Sequence, residues 1–121
     1  MVQKKLIIEP ELPDHLQLLL NNWFEQKVKI NGFDGDMKFI IFDFDQKESE
    51  IIDGKRVDIS MSFNIILNKP TLSQSKTLRG SVSTFGTLSG EFSIKDFETI
   101  IRNTQTNLVQ NLSEYLKSKS M

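Results

Sequence analysis

The dipeptide Asp53-Gly54 constrains this chain more than any other feature, because it stands between two long runs of β-branched and aromatic residues and reads as a two-residue hairpin turn. That turn pairs Ile40 with Leu67, Phe42 with Ile65 and Phe44 with Phe63, all apolar, and sets Asp43 against Asn64, Asp45 against Ser62 and Lys47 against Ser60. Side chains alternate across a strand, so the first set faces a core and the second faces away from it. Gln46 then meets Met61 and Glu48 meets Ile59, and the polar end of the hairpin is expected to run past the core into solvent.

The cleanest alternation lies from Val57 to Leu67, where Val57, Ile59, Met61, Phe63, Ile65 and Leu67 interleave with Asp58, Ser60, Ser62 and Asn64. Another strand is expected near 76 to 88, with Leu78, Val82 and Leu88 on one parity and Arg79, Ser81 and Ser83 on the other. Pairing Leu78 with Leu67 places Gly80 beside Ile65 and leaves room there for a helix or a ring. Ahead of the hairpin, residues 4 to 9 read as a short strand stopped by Pro10 and Pro13. A helix follows, with Asp14 as N-cap and Leu16, Leu19, Leu20, Trp23 and Phe24 recurring at spacings of three and four. Asn31-Gly32 is the expected end of that helix, and Asp34-Gly35 the turn into a strand from Met37 to about Gln46.

The last helix carries the strongest start signal: Ser93 as N-cap, Asp96 at the third helical position, and Phe92 set to staple against Phe97. Ile94, Phe97, Ile101, Leu108, Leu112, Tyr115 and Leu116 form its expected inward stripe, and residues 117 to 121 a frayed tail. The expected fold class is α+β in the order β-α-β-β-β-α, two helices packed on one face of a mostly antiparallel four-stranded sheet, as a single domain over residues 1 to 121. Its other face carries Asp58, Ser60, Ser62, Asn64, Ser81 and Ser83, with Phe39, Ile41 and Ile66 as an apolar island at one end. Phe39, Ile41 and Ile66, with Asn64, Ser62 and Arg79, make a candidate partner-docking face.

Composition narrows the function classes. Fifteen Lys plus Arg against sixteen Asp plus Glu give a net charge of −1, so no positive field favours nucleic acid as a partner. Without cysteine there is no disulfide, thiolate nucleophile or Cys-based zinc site. Leu6-Ile7-Ile8 is too short to be the apolar region of an export signal or a membrane-spanning segment.

Phe39-Ile40-Ile41-Phe42-Asp43-Phe44-Asp45 resembles the first motif of haloacid-dehalogenase-type phosphatases, an apolar strand running into Asp-x-Asp. Lys47 stands where those enzymes have Thr or Ser, and the strand is half of a hairpin, so Asp43 and Asp45 read as a solvated strand end. Asp34, Asp36, Asp43 and Asp45 lack the spacing of a calcium loop, since Lys38 takes the fifth place counted from Asp34. His15 is the sole histidine, and Gly86-Thr87-Leu88-Ser89-Gly90 lacks the spacing of a nucleophile elbow. Trp23, with Leu19, Leu20 and Phe24, reads as core rather than as the wall of a ligand groove. No catalytic residue, metal ligand or cofactor site is expected.

Trp23 in its helix, Gly32 in the turn, Phe39, Ile41 and Asp43 in the next strand, the Val57 to Leu67 strand and the Phe97 to Leu116 helix together resemble small envelope lipoproteins of Gram-negative bacteria, in particular an uncharacterised alphaproteobacterial group. At the level of fold the chain is also similar to YajG-like lipoproteins, transporter-auxiliary lipoproteins and the lipopolysaccharide-assembly lipoprotein. The resemblance implies a non-enzymatic, periplasm-facing binding or assembly module, tethered through a lipidated cysteine upstream of Met1. The implied partner is an envelope protein or a lipid-like ligand. A cytosolic protein-interaction adaptor is the first alternative, and a haloacid-dehalogenase-like phosphatase using Asp43 and Asp45 the second.

Overall fold

The computed structural model describes residues 3–27, 35–69 and 74–119. The elements run β1 (Gln3–Ile8), α1 (Asp14–Lys27), β2 (Asp36–Ile51), β3 (Gly54–Lys69), β4 (Gln74–Ser89) and α2 (Ile94–Lys119). They form one four-stranded sheet in the order β1-β2-β3-β4, with β1 parallel to β2 and the other pairs antiparallel. This is the expected α+β class and element order. The expected helix end at Asn31-Gly32 and residue Asp34 of the following turn lie outside the described residues.

The hairpin turn is one residue earlier than the sequence suggests. Ile51 pairs with Gly54, so the two loop residues are Ile52 and Asp53, and Asp53 holds the left-handed conformation with φ 59. Aspartate tolerates that region better than most residues. Gly54 serves a different need: a Cβ there would strike the Leu88 backbone carbonyl of β4. Moving the turn slides the expected register by two residues, which leaves every side chain on its expected face; Phe44 meets Met61, not Phe63, and Gln46 meets Ile59.

A bulge does change the faces. The β2–β3 register shifts between Ile41 and Asp43, so Phe42 is an extra residue and parity inverts on its N-terminal side. Phe39 and Ile41, expected on the open face, are fully buried in the core, while Phe42, expected inside, is 36% exposed. Ile40 turns outward and pairs with Asn64 rather than Leu67. Phe39 and Ile41 are therefore removed from the candidate docking face.

The buried face carries a run of rings. Trp23 of α1 meets Phe39 edge-on at 5.7 Å, Phe39 stacks on Phe63 at 5.0 Å, and Phe63 meets Tyr115 of α2 edge-on at 5.2 Å. Offset and edge-to-face contacts of this kind add to the area that the rings bury. The Trp23 helix thus packs as core, as the sequence suggests. Gly80 is opposite Phe63, not Ile65, but the room expected there is used: a Cβ would lie 2.5 Å from the Tyr115 hydroxyl and 2.9 Å from Phe63 Cζ.

Both helix starts are legible with one shift. In α2, the Ser93 N–H donates to Asp96 Oδ2 and the Asp96 N–H to Ser93 Oγ, each at 3.1 Å, and Phe92 lies 6.3 Å from Phe97. In α1, the Gln17 N–H donates to the Pro13 carbonyl at 3.0 Å, so Pro13 takes the cap place and Asp14 the first helical position. Ile94, expected in the inward stripe of α2, is the first residue of the helix and is 81% exposed. Two polar residues take unexpected core places: Thr104, whose Oγ1 donates to the Ile100 carbonyl at 2.7 Å, and Gln105, whose Nε2 donates to Gln46 Oε1 at 3.2 Å.

Candidate functional site

Three 16-residue strands span roughly 53 Å at about 3.3 Å per residue, and the helices cover only one side of them. The outer side is a surface in its own right. Its register rows run Asp43–Ser62–Ser81, Asp45–Ser60–Ser83, Lys47–Asp58–Phe85 and Ser49–Arg56–Thr87. Four serines thus form a low hydroxyl floor beside two carboxylates, because only small polar side chains occupy the central rows.

An aromatic ring and an arginine stand at each end of that floor. Arg56 lies 4.0 Å from the centroid of Phe85 and forms an ion pair with Asp58 at 2.9 Å. Arg79 lies 5.5 Å from the centroid of Phe42, and its Nε donates to Asn64 Oδ1 at 3.2 Å. Guanidinium groups stack on ring faces in this way while leaving donors free at the edge. An open depression of about 530 Å³ is lined in part by Asp45, Arg56, Asp58, Ser60, Ser83 and Phe85.

The hydrogen bond from Arg56 holds the Asp58 carboxyl below its ordinary value, and the same contact raises the Arg56 guanidinium. Because the carboxyl is depressed, the contribution of the pair to folding is complete above the ordinary carboxylate range and fades as pH falls beneath it. Both groups are solvated, so the effect is small. An NMR titration of the Asp58 carboxyl is expected to give a midpoint below the ordinary value in the folded protein, and Arg56→Gln is expected to return it upward.

Of the candidate docking residues, Ser62, Asn64, Ile66 and Arg79 share this outer face, with Ile66 half-buried between Lys38 and Thr77. Phe39 and Ile41 do not. Sequence reasoning missed Phe42 and Phe85, the two rings that the arginines cover. Phe85 stands out in the sequence as a lone aromatic on the Arg79, Ser81 and Ser83 parity. Nothing in the sequence marks Phe42, which turns outward only through the bulge.

Asp43 and Asp45 are exposed on this face, as expected. Among the described residues no three His, Cys, Asp or Glu side chains gather as a metal site. No described helix is long and apolar enough to cross a membrane.

No protein-family model and no curated protein sequence matches the chain. Solved structures do. A minor lipoprotein from Acinetobacter baumannii superposes with a TM-score of 0.65 at 9% identity, over 98% of this chain and 92% of that one. The rare lipoprotein B from Shewanella oneidensis superposes with a TM-score of 0.54 at 8% identity, over 98% and 99% of the two chains. At such identities the likeness concerns the fold, and in fold this chain is similar to bacterial lipoproteins along nearly its whole length.

Proposed function

We propose that the chain is a non-enzymatic binding module of the bacterial cell envelope, and that the outer sheet face is its working surface. The observation that carries this reading is the near-complete superposition on two lipoproteins whose chains are hardly longer than the match. The face supports binding rather than chemistry. It offers hydroxyls, two ring-backed guanidiniums and the solvated carboxylates of Asp43, Asp45 and Asp58, with no nucleophile and base brought together among the described residues. Asp43 and Asp45, the one enzyme-like motif, stand on an antiparallel hairpin strand rather than at the mouth of a parallel sheet.

The partner proposed is an envelope protein docking on Ser62, Asn64, Ile66 and Arg79, with a lipid-like ligand as the second candidate. A photo-crosslinking side chain at Ser81 of the full-length gene product, expressed in its own cells, tests this. The expected result is an adduct in the envelope fraction that Ile66→Asp removes while far-UV circular dichroism stays unchanged. Adducts confined to the cytosolic fraction favour the adaptor reading instead, and an adduct unaffected by Ile66→Asp removes this face from the account.

A further inference from the structure

The chain is close to neutral, with a net charge of −1, yet its charges separate along the strands. β1 pairs with Asp36–Ile41 and β3 ends where β4 begins, so Gln3, Asp36, Lys69 and Gln74 mark one end of the sheet. Both helices finish at that end. Lys4 Nζ donates to the Phe24 and Glu25 carbonyls of α1 at 2.7 and 3.1 Å, while α2 follows β4 from Ser83, reached by Asn111, to Arg79, reached by Tyr115. Lys5, Lys27, Lys38, Lys76, Arg79 and Lys117 belong to this end, against Glu25, Asp36 and Glu114. At the opposite end Glu50, Asp53, Glu91, Asp96 and Glu98 stand around the hairpin tip and the start of α2, against Lys55 and Lys95.

The fold does not ask for this arrangement. Lys27 and Lys117 close helices, where a cation complements the helix dipole. Lys5, Lys38, Lys76 and Arg79 are on strands, whose dipoles largely cancel. Lys5 and Lys38 are direct partners in the parallel ladder and both are exposed on the outer face, so two ammonium groups stand side by side. Like charges in that relation are destabilising. Among the described residues no carboxylate forms an ion pair with either one.

An anionic surface laid across this end relieves that repulsion, and the placement of the other cations says what shape the surface has. Lys5 and Lys38 are on the outer face, whereas Lys76 shares the parity of Leu78 on the helix face, with Lys27 and Lys117 beyond it. A rod or a narrow ligand touching one set misses the other; a plane meets both. Lysine also predominates over arginine here. A compact charge on a long flexible stem suits a diffuse layer of phosphates, while a bidentate grip on one phosphate or carboxylate favours arginine.

We propose that this basic end docks on the anionic headgroups of a lipid bilayer, with the strands standing away from the membrane. The same surface repels the acidic end, which fixes the orientation. The inference uses the charge map alone and does not depend on a partner at the outer face.

Flotation with phosphatidylcholine vesicles containing about 30% phosphatidylglycerol tests it. The chain is expected to float with these vesicles at low salt, to stay behind with pure phosphatidylcholine, and to be released at about 0.5 M sodium chloride, which screens charges beyond a few ångströms. Lys5→Gln, Lys38→Gln and Lys76→Gln combined are expected to weaken binding about a hundredfold, because each basic residue near such a surface contributes roughly fivefold. Lys47→Gln, Lys95→Gln and Arg102→Gln combined lower the net charge equally but away from that end, and are expected to leave binding within about threefold of the wild type. Equal losses in the two triple variants, both folded by circular dichroism, overturn the proposal. Because the chain has no cysteine, a dye can be attached at Ser75→Cys or at Ser89→Cys, and energy transfer to a headgroup acceptor is expected to be stronger from Ser75. Stronger transfer from Ser89, or no flotation with the anionic vesicles, overturns it too; no protein partner is present in the assay, so that result leaves the outer-face reading intact. Binding to duplex DNA without binding to vesicles assigns the end to nucleic acid and likewise overturns it.

Discussion

Phe39→Ala is expected to destabilise the protein by about 3–5 kcal/mol, the range for a large ring removed from a close-packed core. Phe39 is fully buried and touches Trp23, Phe24 and Phe63 with its ring, so its loss opens a cavity between α1 and the sheet that no single neighbour can fill. Phe42→Ala, three residues on, is expected to cost less than about 1 kcal/mol, because that ring lies on the outer face against Arg79. Urea unfolding of the two variants makes the comparison, with the shift in midpoint as the readout. Equal losses, or a larger loss at Phe42, would contradict the placement of the bulge.

Gly80→Ala carries the second large effect. One methyl group added there falls 2.6 Å from Tyr115 Cζ as well as 2.5 Å from its hydroxyl, with Phe63 pressing from the sheet. The Tyr115 ring is held on both sides, by its edge contact with Phe63 and by its hydroxyl bond to the Arg79 carbonyl. It can yield only by leaving that place, and overpacking of this kind costs about 1–3 kcal/mol. A double-mutant cycle with Tyr115→Ala isolates the clash: the two losses are expected to fall short of additivity by about 1 kcal/mol or more. Additive losses would mean that glycine is not there for the ring.

These two sites also show where the sequence was readable. The start of α2 could be read residue by residue, because a capping box and a staple are local and involve only Phe92, Ser93, Asp96 and Phe97. The inward face of β3 was equally plain, since a strand with one wet face must alternate, and every odd position from Val57 to Ile65 is buried. In Phe39-Ile40-Ile41-Phe42 all four residues are apolar, so periodicity carries no information about which pair faces inward. A bulge there is decided by tertiary packing, by the fit of Phe39 between Trp23 and Phe63. Gly54 misled for a related reason: its missing Cβ answers the close approach of the Leu88 carbonyl on a strand distant in sequence.

For the outer face the limits were similar. Parity alone puts Ser62, Asn64, Ile66 and Arg79 on it, and Asp43 and Asp45 are exposed there as the hairpin predicts. The pairing of each arginine with a ring depends on cross-strand register, Arg56 on β3 with Phe85 on β4 and Arg79 on β4 with Phe42 on β2. The turn lies one residue earlier than Asp53-Gly54 suggests and the bulge has no local sequence signal, so neither pairing is legible in the sequence. Both pairs flank the serine floor of the outer face.

The central claim is that one extra residue, Phe42, inverts the N-terminal part of β2 and thereby sends Phe39 and Ile41 into the core and Phe42 to the outer face. Inter-strand nuclear Overhauser contacts between backbone protons of β2 and β3 test it most directly. The structure calls for cross-strand contacts of Ile41 with Phe63 and of Asp43 with Ser62, with Phe42 lacking a partner of its own. An unbroken ladder in which Phe42 pairs with Phe63 and Ile41 with Asn64 would contradict it, and would return Phe39 and Ile41 to the solvent face.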